Sequence, residues 1–164
     1  MRAAPDRPVV VIDDDLQFIR MVERALKAEG IPVQAVTTPD VDEAAAIVAR
    51  SGCRAALVDV YMYGETLGFT LIERLRGEAS TAFVPLIVTS GARREIGRRV
   101  AFLQANGCGV LIKPFAIEEL LGRLGELGSL SDPIVPSAEV VPLKASTDDM
   151  LKAVLPVALT EVNP

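Results

Sequence analysis

Histidine is absent from this chain of 164 residues. That excludes Ser-His-Asp and Cys-His catalysis, the common histidine-containing zinc sites and any phosphohistidine on the chain itself. Cysteine is scarce: Cys53 and Cys108 are the two present. They lack metal-ligand spacing and read as buried thiols in a reducing compartment. No stretch approaches the roughly 20 apolar residues of a membrane span. The N-terminus has no long apolar core before Asp13, so it does not read as a signal peptide. Positive charge is in deficit, with a net charge of −5 and a pI near 4.8. That argues against nucleic-acid binding through phosphate contacts. The chemistry left open uses carboxylates, hydroxyls, lysine or backbone, and a cytoplasmic location is expected.

What is present is apolar. Half the residues are hydrophobic and mean hydropathy is +0.35, as suits a sheet buried on both faces. Pro8 to Ile12 reads as a strand. Leu16, Ile19, Val22 and Leu26 then recur at helical spacing, and Gly30 supplies a stop. Ile31 to Val36 is a weaker strand. Thr38 and Pro39 are expected to open the next helix, with Asp40, Asp42 and Glu43 in its first turns and Arg50 and Gly52 at its end. Three further strand–helix pairs follow. They are 55–58 with 67–76, 84–88 with 92–105, and 110–112 with 116–127. Five such units predict an α/β fold: a doubly wound, five-stranded parallel sheet with helices on both faces.

Composition shifts at Ser129. Residues 1–128 read as one domain. Residues 129–164, with five of the eleven prolines, read as a C-terminal tail with a short amphipathic helix over 147–155.

In an open parallel sheet, ligands bind beyond the carboxyl ends of the strands. Those ends hand over Asp13 and Asp14, then Asp59, then Thr89 and Ser90, then Lys113. Three close carboxylates repel by a few kcal/mol per pair at an effective dielectric of ~20, so the cluster calls for a cation or a raised pKa. Hard oxygen donors of this kind suit magnesium. With Mg2+ and Lys113 neutralising a phosphoryl group and Thr89 donating to it, Asp59 is placed to attack phosphorus.

Four segments carry a family resemblance. Val9-Val-Val-Ile-Asp13-Asp14-Asp15, Leu57-Val-Asp59-Val-Tyr-Met62, Ile87-Val-Thr89-Ser90 and Leu111-Ile-Lys113-Pro114-Phe115 resemble, in order and spacing, the motifs of two-component response regulator receiver domains. The resemblance covers residues 8 to 128. It implies a CheY-like, flavodoxin-like fold that accepts a phosphoryl group from a sensor histidine kinase or phosphotransfer protein. It further implies Asp59 as phosphoacceptor and Asp13, Asp14, Asp59 and the Tyr61 backbone carbonyl as Mg2+ ligands. Thr89 matches the switch hydroxyl and Lys113 the family's lysine, with a cis Lys113–Pro114 bond. The implied role is a stand-alone signalling receiver that is no enzyme beyond self-catalysed phosphorylation and dephosphorylation. Its output would run through protein–protein interaction, with no nucleic acid or membrane as partner.

The chain departs from the pattern in places. Tyr63 stands where the family usually has proline, and the loop to Gly68 is about one residue longer. Val110 stands where a switch aromatic is expected. Those departures motivate an alternative, a receiver-like interaction module working without phosphorylation. A second alternative is a haloacid-dehalogenase-type phosphatase using Asp13, Asp15, Thr89 and Lys113. Gln17 and the missing later acidic pair speak against it. Two surface features stand apart. Arg93, Arg94, Arg98 and Arg99 make one helix cationic, which is either a solvated face or a homodimer surface for Glu118, Glu119 and Glu126 of a second copy. Gly122 and Gly125 flank the apolar stripe of the last helix and leave room for a partner or for Met150 to Leu155 of the tail.

Overall fold

A computed structural model describes residues 7–128. The expectations for residues 129–164, including the helix over 147–155, lie outside the described residues. Within them the chain alternates β1 (Val9–Ile12), α1 (Leu16–Ala28), β2 (Val33–Val36), α2 (Val41–Ser51), β3 (Ala55–Asp59), α3 (Leu67–Arg76), β4 (Leu86–Ser90), α4 (Arg93–Arg98), α5 (Val100–Ala105), β5 (Gly109–Ile112) and α6 (Ile117–Gly128). The strands form one parallel sheet in the order β2-β1-β3-β4-β5. This is the doubly wound fold expected from the strand–helix alternation.

Strand pleating sends alternate side chains to opposite faces, and the short β-branched runs serve both. Val10, Ile12, Ala56, Val58, Leu86, Val88 and Val110 pack with residues of α2, α3, α4 and α5. Val9, Val11, Ala55, Leu57, Ile87 and Leu111 pack with Ile19, Val22 and Leu26 of α1 and Leu120 and Leu124 of α6. At roughly 25 cal/mol per Å2 of apolar surface removed from water, these two layers are the main favourable term in folding.

Several local expectations shift. Leu16 is exposed, and Phe18 takes its place in the buried stripe of α1. Helix α2 starts two residues later than expected because Asp40, not Thr38, is the cap. Asp40 accepts from the Glu43 amide at 3.0 Å. Thr38 instead accepts from the Asp40 amide at 3.1 Å and donates to Glu43. The single helix expected over 92–105 is two, broken at Arg99. Gly97, a poor helix former, precedes the break. The Arg99 guanidinium lies 4.9 Å from the Phe69 ring centroid and 5.9 Å from that of Phe102, a cation–π arrangement that holds the break in place.

A candidate phosphoryl-transfer site at the strand ends

The sheet order reverses direction between β1 and β3, and this switch point opens a crevice beyond the strand ends. Asp13 leaves β1 there, fully buried, with its amide donating to the Val36 carbonyl. Asp59 ends β3 and is also buried, directly beside Thr89 of β4 in the sheet register. Lys113 follows β5, where its amide bonds the Ser90 carbonyl at 2.9 Å. The topology thus gathers residues 100 positions apart: Lys113 Nζ lies 2.6 Å from Asp13 Oδ2 and 3.5 Å from Asp59 Oδ2.

Carboxylate oxygens of Asp13, Asp14 and Asp59 lie within 4.8 Å of one another. Burial raises the Asp59 pKa to about 6; Lys113 opposes the shift, and Asp13 adds to it. Of the two consequences expected of a carboxylate cluster, the raised pKa is therefore met at Asp59. Three carboxylates face one ammonium. The donors are hard oxygens with charge to spare, which suits a divalent cation such as Mg2+.

The Asp triplet divides its labour. Asp15 is the N-cap of α1, accepting from the Gln17 and Phe18 amides at 2.9 and 3.2 Å. It is thereby occupied away from the cluster, which removes the second acid that the haloacid-dehalogenase reading needs. Asp13 Oδ1 accepts from the Asp15 amide at 2.8 Å. Ser90 is half of a turn, its hydroxyl oxygen accepting from the Ala92 amide. Thr89 Oγ1 is buried with no hydrogen-bond partner among the described residues. A buried hydroxyl in that state is a donor in want of an acceptor. The Lys113–Pro114 bond is cis, as the resemblance implies.

Sequence reasoning missed four contributors. Phe18 lies under Lys113, whose Nζ is 3.9 Å from the ring centroid. Phe115 meets that ring edge-on at 5.9 Å. Gly68 lets α3 approach the end of β3: a Cβ there would sit 2.3 Å from the Asp59 carbonyl oxygen. The Tyr63 amide donates to Asp14 Oδ2 at 2.8 Å. Tyr63 and Gly64 form a two-residue hairpin closed by paired Met62 and Glu65 backbone bonds. Tyr63 is exposed on it and Tyr61 is exposed just before it. The Tyr61 amide donates to Asp59 Oδ1 at 3.3 Å.

A separate groove of about 490 Å3, lined by Gln17, Arg20, Met21, Arg24, Phe115 and Ile117 among others, includes none of the carboxylates. The charged crevice, not this hollow, holds the groups with reactive chemistry.

Comparison with known proteins agrees with this geometry. Residues 9–125 match the response regulator receiver domain family. The response regulator MprA of Mycobacterium tuberculosis is 34% identical over 119 residues, which is 73% of this chain and 49% of that protein. The chain spans about half the length of the curated relatives it matches. Among solved structures, the chemotaxis protein CheY4 of Vibrio cholerae is 26% identical with a TM-score of 0.60, covering 74% of this chain and 98% of that one. The receiver domain of the sensor histidine kinase PA1611 of Pseudomonas aeruginosa shares the fold at 20% identity and a TM-score of 0.64. It covers 76% of this chain and 98% of that one, and is described with a magnesium ion coordinated in its active site cleft.

Proposed function

This chain belongs to the response regulator receiver domain family, and from that premise we propose that it is a signalling receiver whose phosphoacceptor is Asp59. The observation that carries the reading is the meeting of Asp13, Asp14 and Asp59 oxygens within 4.8 Å, with Lys113 bridging two of them. The donor would be a phosphohistidine on a sensor histidine kinase or phosphotransfer protein. An Asp59 carboxylate oxygen attacks phosphorus, the P–N bond breaks, and the departing imidazole takes up a proton. Lys113 exchanges part of its pairing with Asp13 for the incoming phosphoryl oxygens. The Thr89 hydroxyl, buried with no hydrogen-bond partner among the described residues, supplies a hydrogen bond to the same group. Asp13, Asp14, Asp59 and the Tyr61 backbone carbonyl would hold Mg2+. Bound there, it would supply charge neutralisation to the phosphoryl oxygens. Hydrolysis of the aspartyl phosphate at its own site would reset the receiver.

Output would pass to another protein in the cytoplasm. The charge distribution supports this. Arg93 and Arg94 are exposed on α4, and Glu118 and Glu119 on α6, so a second copy is one partner of fitting charge. Salt-sensitive self-association by light scattering would support that pairing; equal masses at low and high salt would remove it.

The phosphoacceptor test is direct. The protein is incubated with acetyl phosphate and Mg2+ and examined by intact mass. One added phosphoryl group is expected, lost in Asp59→Asn and in the absence of divalent cation. No adduct on the parent protein would sink the proposal and favour the module that works without phosphorylation.

A further inference from the structure

Asp14 is the exposed member of the carboxylate cluster, and it is held differently from the other two. Asp13 is fixed by the Asp15 amide and by Lys113. Asp59 is fixed by the Tyr61 amide, with Lys113 close by. Among the described residues the donor to Asp14 is the Tyr63 backbone amide, from 49 positions away in sequence. An exposed aspartate without such a bond samples several rotamers and must lose that freedom on binding a cation.

The hairpin that presents this amide is built to stay in place. Tyr63 has φ +53° and Gly64 φ +78°. Positive φ at both central residues is the signature of a type I′ turn, the tight two-residue hairpin. The Met62 amide donates to the Glu65 carbonyl at 2.9 Å, and the Glu65 amide returns the bond at 3.0 Å. Met62 is buried in the core layer shared with α2 and α3, which anchors one end. The other end runs into α3, pressed against β3 at Gly68. Proline at position 63 would break the arrangement twice, since its φ is locked near −65° and it has no N–H.

We propose that the Tyr63–Gly64 turn is a positioning element for the cation site: the Tyr63 amide holds one Asp14 oxygen so that the carboxylate stands ready to share a divalent cation with Asp13 and Asp59. The inference rests on the reading of that cluster as a cation site. A carboxylate has acceptor capacity on both oxygens, so the amide bond and a metal bond are compatible. Tyr63, at the position where the resemblance led us to expect proline, thereby has a role: it supplies a backbone donor aimed at the cation site. Tyr63 contributes through its backbone, and its ring is free to face solvent.

The test uses Mn2+ as the probe, with free ion followed by electron paramagnetic resonance and no phosphodonor present. Tyr63→Pro is expected to weaken Mn2+ binding by about tenfold, the usual scale for losing a group that orients a metal ligand. Tyr63→Asn retains the N–H and tolerates positive φ, so it is expected to restore the binding that Tyr63→Pro loses. Gly64→Val leaves the amide present but disfavours the turn. A Cβ at Gly64 meets nothing within 4 Å, so the variant is expected to weaken binding through backbone strain. Circular dichroism checks that each variant is folded. Parent-like affinity in folded Tyr63→Pro and Gly64→Val would overturn the proposal. So would equal losses in Tyr63→Asn and Tyr63→Pro, which would assign the effect to the ring. A parent protein that takes up no Mn2+ would overturn the cation-site reading itself, a result distinct from either of these.

Discussion

Asp59 is ionisable but mostly withdrawn from water, and burial sets its pKa at about 6 against 3.8 for a free aspartate. The folded protein therefore binds this proton more tightly than the unfolded chain. Below pH 4 both states are protonated and nothing is lost; as pH rises through about 6, the ionised carboxylate costs stability. After allowance for screening at the open mouth of the site, that cost is on the order of 1–2 kcal/mol. Asp59→Asn should remove it. In metal-free buffer, urea denaturation is expected to show the variant more stable than the parent at neutral pH, with the gain fading near pH 4. The two thiols behave in the opposite sense to reactive cysteines. Burial raises the pKa of both, that of Cys108 to about 11. Native protein should react with a disulfide reagent far more slowly than denatured protein, where both thiols titrate. Phe18 offers a third residue-scale test. Phe18→Leu keeps the apolar volume but loses the ring under Lys113. The rate of adduct formation with acetyl phosphate is expected to fall about twofold to fivefold, the worth of an exposed cation–π contact.

These residues differ in how openly the sequence displays them. Asp13, Asp14, Asp59, Thr89 and Lys113 each follow a short apolar run, so their common edge can be deduced from parallel topology. Phe18 sits in an ordinary helical stripe, and its partner is 95 positions away. The Tyr63 amide is harder still. Its direction depends on a left-handed backbone at a residue type that seldom adopts one, and Asn or Asp would have been the recognisable turn signal.

At the scale of elements, apolar periodicity located five strands and five helical segments, one of which is two helices, while boundaries were decided by hydrogen bonds it does not encode. The Asp40 cap moved the start of α2, and Arg99, over two rings, split α4 from α5. The α3 end shows why packing matters more than pattern here. Arg76 donates to the carbonyls of Asn106, Ala82 and Val84, tying α3 to the turns before β4 and β5. Burial lowers its pKa, yet these bonds keep its charge satisfied. Arg76→Ala is expected to cost about 2–3 kcal/mol by chemical denaturation, because several carbonyls lose a common donor. At the other end of α3, Gly68→Ala should be destabilising by at least ~2 kcal/mol, since the methyl group meets strand backbone that cannot retreat. The same shift would move the Asp59 carbonyl, so adduct formation should fall together with stability.

The whole molecule brings residues 13, 59, 89 and 113 together without a single local contact between them in sequence. That gathering follows from the strand order and the reversal between β1 and β3. It was legible because strand–helix alternation leaves few alternatives to a parallel sheet. Among the described residues, both core layers are built from residues 9–127. A fragment of residues 7–128 is therefore expected to unfold in one cooperative transition at nearly the temperature of the full chain, as calorimetry would show. A large loss would mean that residues 129–164 contribute to the domain. No helix among the described residues is long and apolar enough to cross a membrane.

The hairpin beyond Asp59 has one more consequence, an optical one. The chain contains no tryptophan and two tyrosines, and both stand exposed, Tyr63 on that hairpin and Tyr61 just before it. Nearly all absorbance at the tyrosine band, and all tyrosine emission, therefore arises at the mouth of the crevice. Emission should change as divalent cation fills the site and again on phosphorylation, without any attached dye. Such a change would report the state of the neighbouring carboxylates in the near ultraviolet, and a Tyr61→Phe, Tyr63→Phe double variant would fall silent.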